Sequence, residues 1–137
     1  MPLKPNTSAK GAVFESVAAA FLKKQGFEIV EQNVRMKFAE IDLVCRDGDV
    51  LCFVEVRSRA HSRFGSPEAT VDYRKQAKIM KAASAYLQRL YPRIPRCRFD
   101  VVAIKGSVDN PEISHFKNAF GLEQSVLKRK GNPWQAY

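Results

Sequence analysis

At 137 residues, with 45% apolar and 10% aromatic content, the chain can bury the core of one ordinary domain, which excludes intrinsic disorder. Its formal net charge of +9 points to an anionic partner, with nucleic acid first and an acidic membrane surface second; the bland alternative is a basic protein with no such partner. No run approaches the ~18 apolar residues of a membrane span, and residues 1–10 lack the apolar segment of a secretory signal, so the expected location is the cytoplasm, with no membrane partner.

In chain order, residues 1–9 carry Pro2, Pro5, Asn6, Thr7 and Ser8 and read as a loose leader ending in a helix cap. A domain over 10–122 and a basic tail over 123–137 follow. Val13, Phe14, Val17, Ala18, Phe21 and Leu22 make one helical stripe over 10–25, which Gly26 stops. Glu15 falls at the edge of that stripe, where an ordinary solvated acid is the plain alternative to a functional one. A strand is expected over 27–34 and a hairpin over 40–57.

The segment 58–67 is a basic irregular loop holding Arg59, His61, Arg63 and Phe64; it suits a phosphate contact or simply the surface. His61 lacks a nearby His or Cys and is a poor metal-ligand candidate. A second helix spans 71–90, with Ile79, Met80, Ala83, Tyr86, Leu87 and Leu90 at core spacing. Its first half is basic: Arg74, Lys75, Lys78 and Lys81 follow Asp72 with no acid between them. Such a run is either a solvated face or a grip on phosphate. Residues 99–104 read as a buried strand and 112–116 as a short last strand, and Asp100 is expected to pair with a neighbouring Arg. Trp134 and Tyr137 in the tail could dock on the body or on another chain. Cys45, Cys52 and Cys97 are odd in number and lack zinc spacing, which suits free buried thiols. The order α-β-β-β-α-β-β indicates an α/β domain with a mixed β-sheet and helices packed against it.

The hairpin holds the anomaly. Glu40, Asp42 and Glu55 interrupt two apolar strands, where a buried carboxylate costs several kcal/mol unless compensated. A two-residue turn at Asp47-Gly48 would set Arg46 opposite Asp49, Val44 opposite Leu51, Asp42 opposite Phe53 and Glu40 opposite Glu55. Glu40, Asp42, Glu55 and Arg57 would then share one face, with Asp42 and Glu55 diagonal neighbours about 7–8 Å apart. A three-residue turn would separate Asp42 from Glu55. Carboxylates so placed, with the Val56 carbonyl beside them and Glu15 brought in from a helix, suit a hard divalent cation such as magnesium or manganese. Such a cation activates water against a phosphodiester. Arg57, two residues after Glu55, could stabilise the developing charge.

The segments Gly11-Ala12-Val13-Phe14-Glu15, Gly26-Phe27, Asn33-Val34-Arg35, Ala39-Glu40-Ile41-Asp42-Leu43-Val44, Phe53-Val54-Glu55-Val56-Arg57-Ser58-Arg59 and Arg98-Phe99-Asp100-Val101-Val102 resemble the YraN family of bacterial proteins. That family is similar to Holliday-junction resolvases and to the wider PD-(D/E)xK nucleases. The likeness covers residues 10–120. It implies a restriction-endonuclease-like core, a magnesium- or manganese-dependent nuclease acting on DNA, branched DNA included, and a homodimer by analogy with resolvases of this fold.

Under that resemblance Glu15 is the helix acid, Asp42 the strand acid and Glu55-Val56-Arg57 the (D/E)xK element, with Asp42, Glu55 and Glu15 as metal ligands. Arg59, Arg63, Arg74, Lys75 and Lys78 would grip nucleic acid, and Gln76 or Lys78 matches the polar residue on the following helix. Two positions depart from the pattern: Ala39 stands where Gly is usual, and Arg57 where Lys is expected. Arg keeps the charge but does not release its proton. Two further readings are a nucleic-acid-binding module of the same fold that does not cut, and an interaction protein using its basic face and tail.

Overall fold

The computed structural model describes residues 9–59 and 71–121. The loop holding Arg63 and His61, the leader and the tail with Trp134 lie outside the described residues, as does the side chain of Arg59. Helix α1 spans Ala9–Lys24 and leads into three strands, β1 (Glu28–Arg35), β2 (Glu40–Asp47) and β3 (Val50–Arg59). Helix α2 (Tyr73–Gln88) then carries the chain to β4 (Cys97–Ser107) and β5 (Asn110–Phe120). The strands form one sheet in sequence order, antiparallel except for the parallel β3–β4 pair that α2 bridges. The chain is therefore an α/β fold with a mixed sheet, compatible with the restriction-endonuclease-like core that was expected.

The helices pack on opposite faces of the sheet. Phe14, Ala18, Ala19 and Leu22 of α1 meet Leu43, Cys45, Cys52, Val54, Val102 and Ile104. Ile79, Ala82, Ala83, Tyr86 and Leu87 of α2 meet Val44, Leu51, Phe53, Phe99, Val101 and Phe120. Strands β3 and β4 are thus covered on both sides, which is why they read as near-continuous apolar runs. Phe53, 1% exposed, is the largest fully buried side chain among the described residues. It contacts the rings of Tyr86 and Phe99 at 5.7 Å between centroids. The stripe of α1 is rotated from expectation: Val13 is exposed and Ala19 takes its place inside.

Both helix ends that matter to the site are set by local chemistry. At the end of α1, Phe27 N–H donates to Leu22 O and Gly26 N–H to Lys23 O, each at 3.0 Å, with Gly26 at φ +99°. That is a Schellman cap, closed by burial of Leu22 and Phe27 in one cluster. At the start of α2, Asp72 is the N-cap and accepts from Lys75 N–H at 2.9 Å. The cap holds Arg74 and Lys75 in the first helical turn.

The β2–β3 loop has two residues, Gly48 and Asp49, one position later than expected. Asp47 pairs with Val50, Cys45 with Cys52 and Leu43 with Val54. Gly48 is the first loop residue at φ +62°, whereas Asp49 is not left-handed, the demand of a II′ turn. A turn at Asp47-Gly48 would have forced Asp47 into that position. Because the loop still has two residues, the alternation next to the turn is preserved while the pairing slides by two: Val44, Leu51 and Phe53 face α2, and Leu43, Cys45, Cys52 and Val54 face α1. It breaks beyond Leu43, where Ile41 joins Val44 on the α2 side. The last strand is also longer than expected, 11 residues instead of a short segment, with a bulge opposite Phe99–Val101 and Asn118 at φ +53°.

Candidate functional site

The β2–β3 ladder stops at Leu43↔Val54, although both strands continue. Just beyond that last pair lie Asp42 on β2 and Glu55 on β3. Val56 N–H donates there to Asp42 Oδ2 at 2.8 Å, so a side-chain carboxylate takes the place of a backbone acceptor. At this open end, side chains from both faces of the sheet converge. Glu15 arrives from α1, within hydrogen-bond reach of the Asp42 and Asn33 side chains. Glu55 is 4% exposed and faces α2, with its Oε2 3.0 Å from Lys75 Nζ and 3.5 Å from Arg57 Nη1.

These groups line one cavity of about 620 Å³. Its acids are Glu15, Glu40, Asp42, Glu55 and Asp72, and its bases are Arg57, Arg74, Lys75 and Lys78. The two signs are layered: Glu15 and Glu55 are buried, whereas Arg74, Lys75 and Lys78 are exposed. Burial pushes the Asp42 carboxyl well above its ordinary value, and the charges of Glu55 and Glu15 add to the rise; the Val56 N–H and Lys75 oppose it. Burial likewise raises Glu15, against the hydrogen bonds of Asp42 and Asn33. Glu15 Oε1 and Glu40 Oε2 are buried without a hydrogen-bond partner. Arg35 Nε comes only to 3.9 Å from the latter. Orphaned buried acceptors are costly and uncommon, and here they belong to acids aimed into a cleft.

This donor set fits a hard cation. Its oxygens are of the right type, two of its carboxyls resist ionisation without a counter-charge, and two carboxylate oxygens lack a donor. Among the described residues, no three acidic, His or Cys side chains close a cage alone. A cation in this cleft would therefore be held by Asp42 and Glu55, aided by backbone at Val56, and would keep several waters, the usual habit of magnesium.

Of the residues singled out in the sequence, Glu15, Asp42, Glu55, Arg57, Arg74, Lys75 and Lys78 come together. Gln76 does not line the cleft: it is buried, and its Nε2 donates to Val71 O at 2.8 Å, holding the entry to α2. Ala39 has no positive φ, so the Gly that usually stands there is not required by the backbone. Arg57 stands where the resemblance leads one to expect Lys, and an ammonium reaches the same carboxylate from elsewhere, that of Lys75 on α2. Three residues escaped sequence reasoning. Asp72 was legible as an N-cap three residues before Lys75. Asn33, at φ +52°, and Phe38, at the tip of a hairpin, had no local signal tying them to the acids.

Fold and site together define an α/β domain with an acid-floored, cation-rimmed cleft where two strands part. Residues 14–104 match the model of a family described as "Uncharacterised protein family UPF0102". The chain belongs to that family, the one to which the YraN resemblance pointed. It is 45% identical over 118 residues to a UPF0102 protein of Herminiimonas arsenicoxydans, covering 85% of this chain and 91% of the relative. A UPF0102 protein of Pseudomonas savastanoi pv. phaseolicola is 45% identical over 112 residues, 80% of this chain and 91% of the relative. One from Syntrophus aciditrophicus is 42% identical over 112 residues, 82% and 88% of the two chains. No helix among the described residues is long and apolar enough to cross a membrane.

Proposed function

We propose that this protein is a metal-dependent endonuclease acting on DNA by phosphodiester hydrolysis. The observation that carries this reading is the orphaned, mutually repelling acid group at the floor of a cleft whose rim is cationic. Magnesium or manganese held there would lower the pKa of a bound water and neutralise phosphate charge. Asp42 and Glu55 are the ligands, and Glu15 completes the negative field behind them. Arg57 and Lys75, both beside Glu55, stabilise the charge that grows on the phosphoryl oxygens as water adds and one ester oxygen leaves. Arg74 and Lys78 on the exposed turn of α2 take the flanking backbone. The test is cleavage of linear, flapped and four-way DNA with magnesium or manganese. Wild type should cut at least one, and Glu55→Gln none; absence of any metal-dependent cut that the substitution removes would refute the enzyme.

A second reading is favoured by one observation: Lys75 and Arg57 already neutralise Glu55 without a metal. On that reading the cleft binds nucleic acid and does not cut it. Glu55→Gln would then leave binding intact or tighten it.

A further inference from the structure

The β1–β2 hairpin ends in Lys37-Phe38, closed by Met36 N–H donating to Ala39 O at 3.0 Å. Turn tips favour Gly, Asn and Asp, yet a phenyl ring stands here, 45% exposed and lining the cleft that holds Asp42 and Glu55. The tip is anchored: Met36 and Ala39 pack against the core on the α2 side, and Arg89 Nη2 lies 3.3 Å from the Met36 sulfur. Two ammonium groups attend the ring, Lys81 Nζ at 4.9 Å and Lys37 Nζ at 5.9 Å from its centroid.

A ring set at the rim on an anchored hairpin, with cations beside it, complements what a nucleotide presents: an apolar face for the base and positive charge for its phosphate. Base–aromatic stacking contributes about 1–3 kcal/mol per base and does not depend on base identity. In continuous duplex both faces of each base are already stacked. Phe38 can therefore meet a base face only where a strand is unpaired, as in a single strand, a flap or the arm of a junction.

Resting on the phosphodiester-cleft reading above, we infer that Phe38 is a stacking platform for an unpaired base, and that the substrate class is DNA with unpaired nucleotides beside the scissile phosphate. The test is equilibrium binding in EDTA, with full-length protein and three probes of shared sequence: a single strand, a flapped duplex and a continuous duplex. The first two carry 2-aminopurine in the unpaired segment. Wild type should prefer the unpaired probes and quench 2-aminopurine.

Phe38→Ala should lose about fivefold to about a hundredfold on those probes, the range stacking implies, with quenching abolished and duplex affinity hardly changed. Phe38→Trp should restore both. Equal losses on all three probes, or no preference in wild type, would overturn the proposal. The enzyme reading fails separately: a Phe38-dependent preference with no metal-dependent cleavage would retain the platform and remove the nuclease.

Discussion

Two groups of buried acids share this sheet and are treated in opposite ways. Asp100 on β4 is fully buried and fully served. Arg98 Nε and Nη2 donate at 3.0 and 3.2 Å, Asn118 N–H at 2.9 Å, and His115 Nε2 lies 2.9 Å away. Arg98 also donates to Asp47 at 3.0 Å, and His115 is wedged edge-on against Phe21 and Phe27. Although burial alone would raise the Asp100 carboxyl, its hydrogen bonds to His115, Arg98 and Asn118 hold it below the usual range. Glu15 and Asp42 are pushed the other way, by burial and by neighbours of like charge. One group ties β5 to β4 at a bulge; the other holds charge in readiness for a ligand. A perturbed acid marks function only when its partners leave it in deficit.

The contrast can be broken most forcefully at Asp100. Asp100→Ala leaves the half-buried Arg98 with Asp47 alone and strips the Asn118 N–H of its acceptor, and should cost about 3–5 kcal/mol in urea unfolding, the range for removing one partner of a buried pair. A loss no larger than that of a surface acid would show that the network holds nothing together. Truncating the apolar centre gives a reference of similar size: Phe53→Ala should cost about 3–5 kcal/mol by the same measurement.

Substitution in the cleft should have the opposite sign. Asp42→Asn keeps an acceptor for Val56 N–H and removes a repelled charge. It should raise metal-free stability at pH 7 by about 0.5–2 kcal/mol, the common range for relieving a functional compromise. Magnesium or manganese should raise the melting temperature of wild type and not of Asp42→Asn. A variant less stable than wild type in EDTA would mean that the carboxylate is structural.

The pH dependence separates the two groups by sign. Asp100, with its folded pKa depressed, contributes stability above the unfolded carboxylate value and loses it as pH falls through the folded one. Asp42 and Glu15, with folded values raised, bind protons more tightly when folded. Their cost therefore appears as pH rises from the unfolded value through the folded values. In EDTA, Asp42→Asn should flatten the loss of stability on that rising side and leave the acid limb unchanged. Identical wild-type and variant profiles in urea titrations across pH would remove the electrostatic account.

The smallest expected effect is at the rim. Lys75→Ala/Lys78→Ala should weaken DNA binding and reduce the slope of log affinity against log salt by about one for each phosphate left unneutralised. An unaltered slope would place the nucleic-acid path elsewhere on the surface.

Much of this was legible in the sequence. The order of helices and strands follows from apolar spacing, Gly26 ends α1 because the chain there needs positive φ, and acids inside apolar strands flag themselves by their cost. The alternation of the strands next to the turn was determined by the sequence too, since any two-residue loop gives the same parity. The pairing was not. Only the II′ geometry at Gly48 slid it by two, and only the parting of β2 and β3 beyond Leu43 opened the cleft that Asp42 and Glu55 line.

Tertiary structure alone decided the rest. Glu15 looked like an edge acid because α1 says nothing of the face it will cover; Gln76, by contrast, is taken up locally, by Val71 O five residues earlier. Lys75 could be read as a phosphate grip, but its reach to Glu55 depends on packing α2 against the parting strands. A local pattern records which way a side chain points. Which charges meet inside a low-dielectric cleft is settled by contacts between segments far apart in the chain.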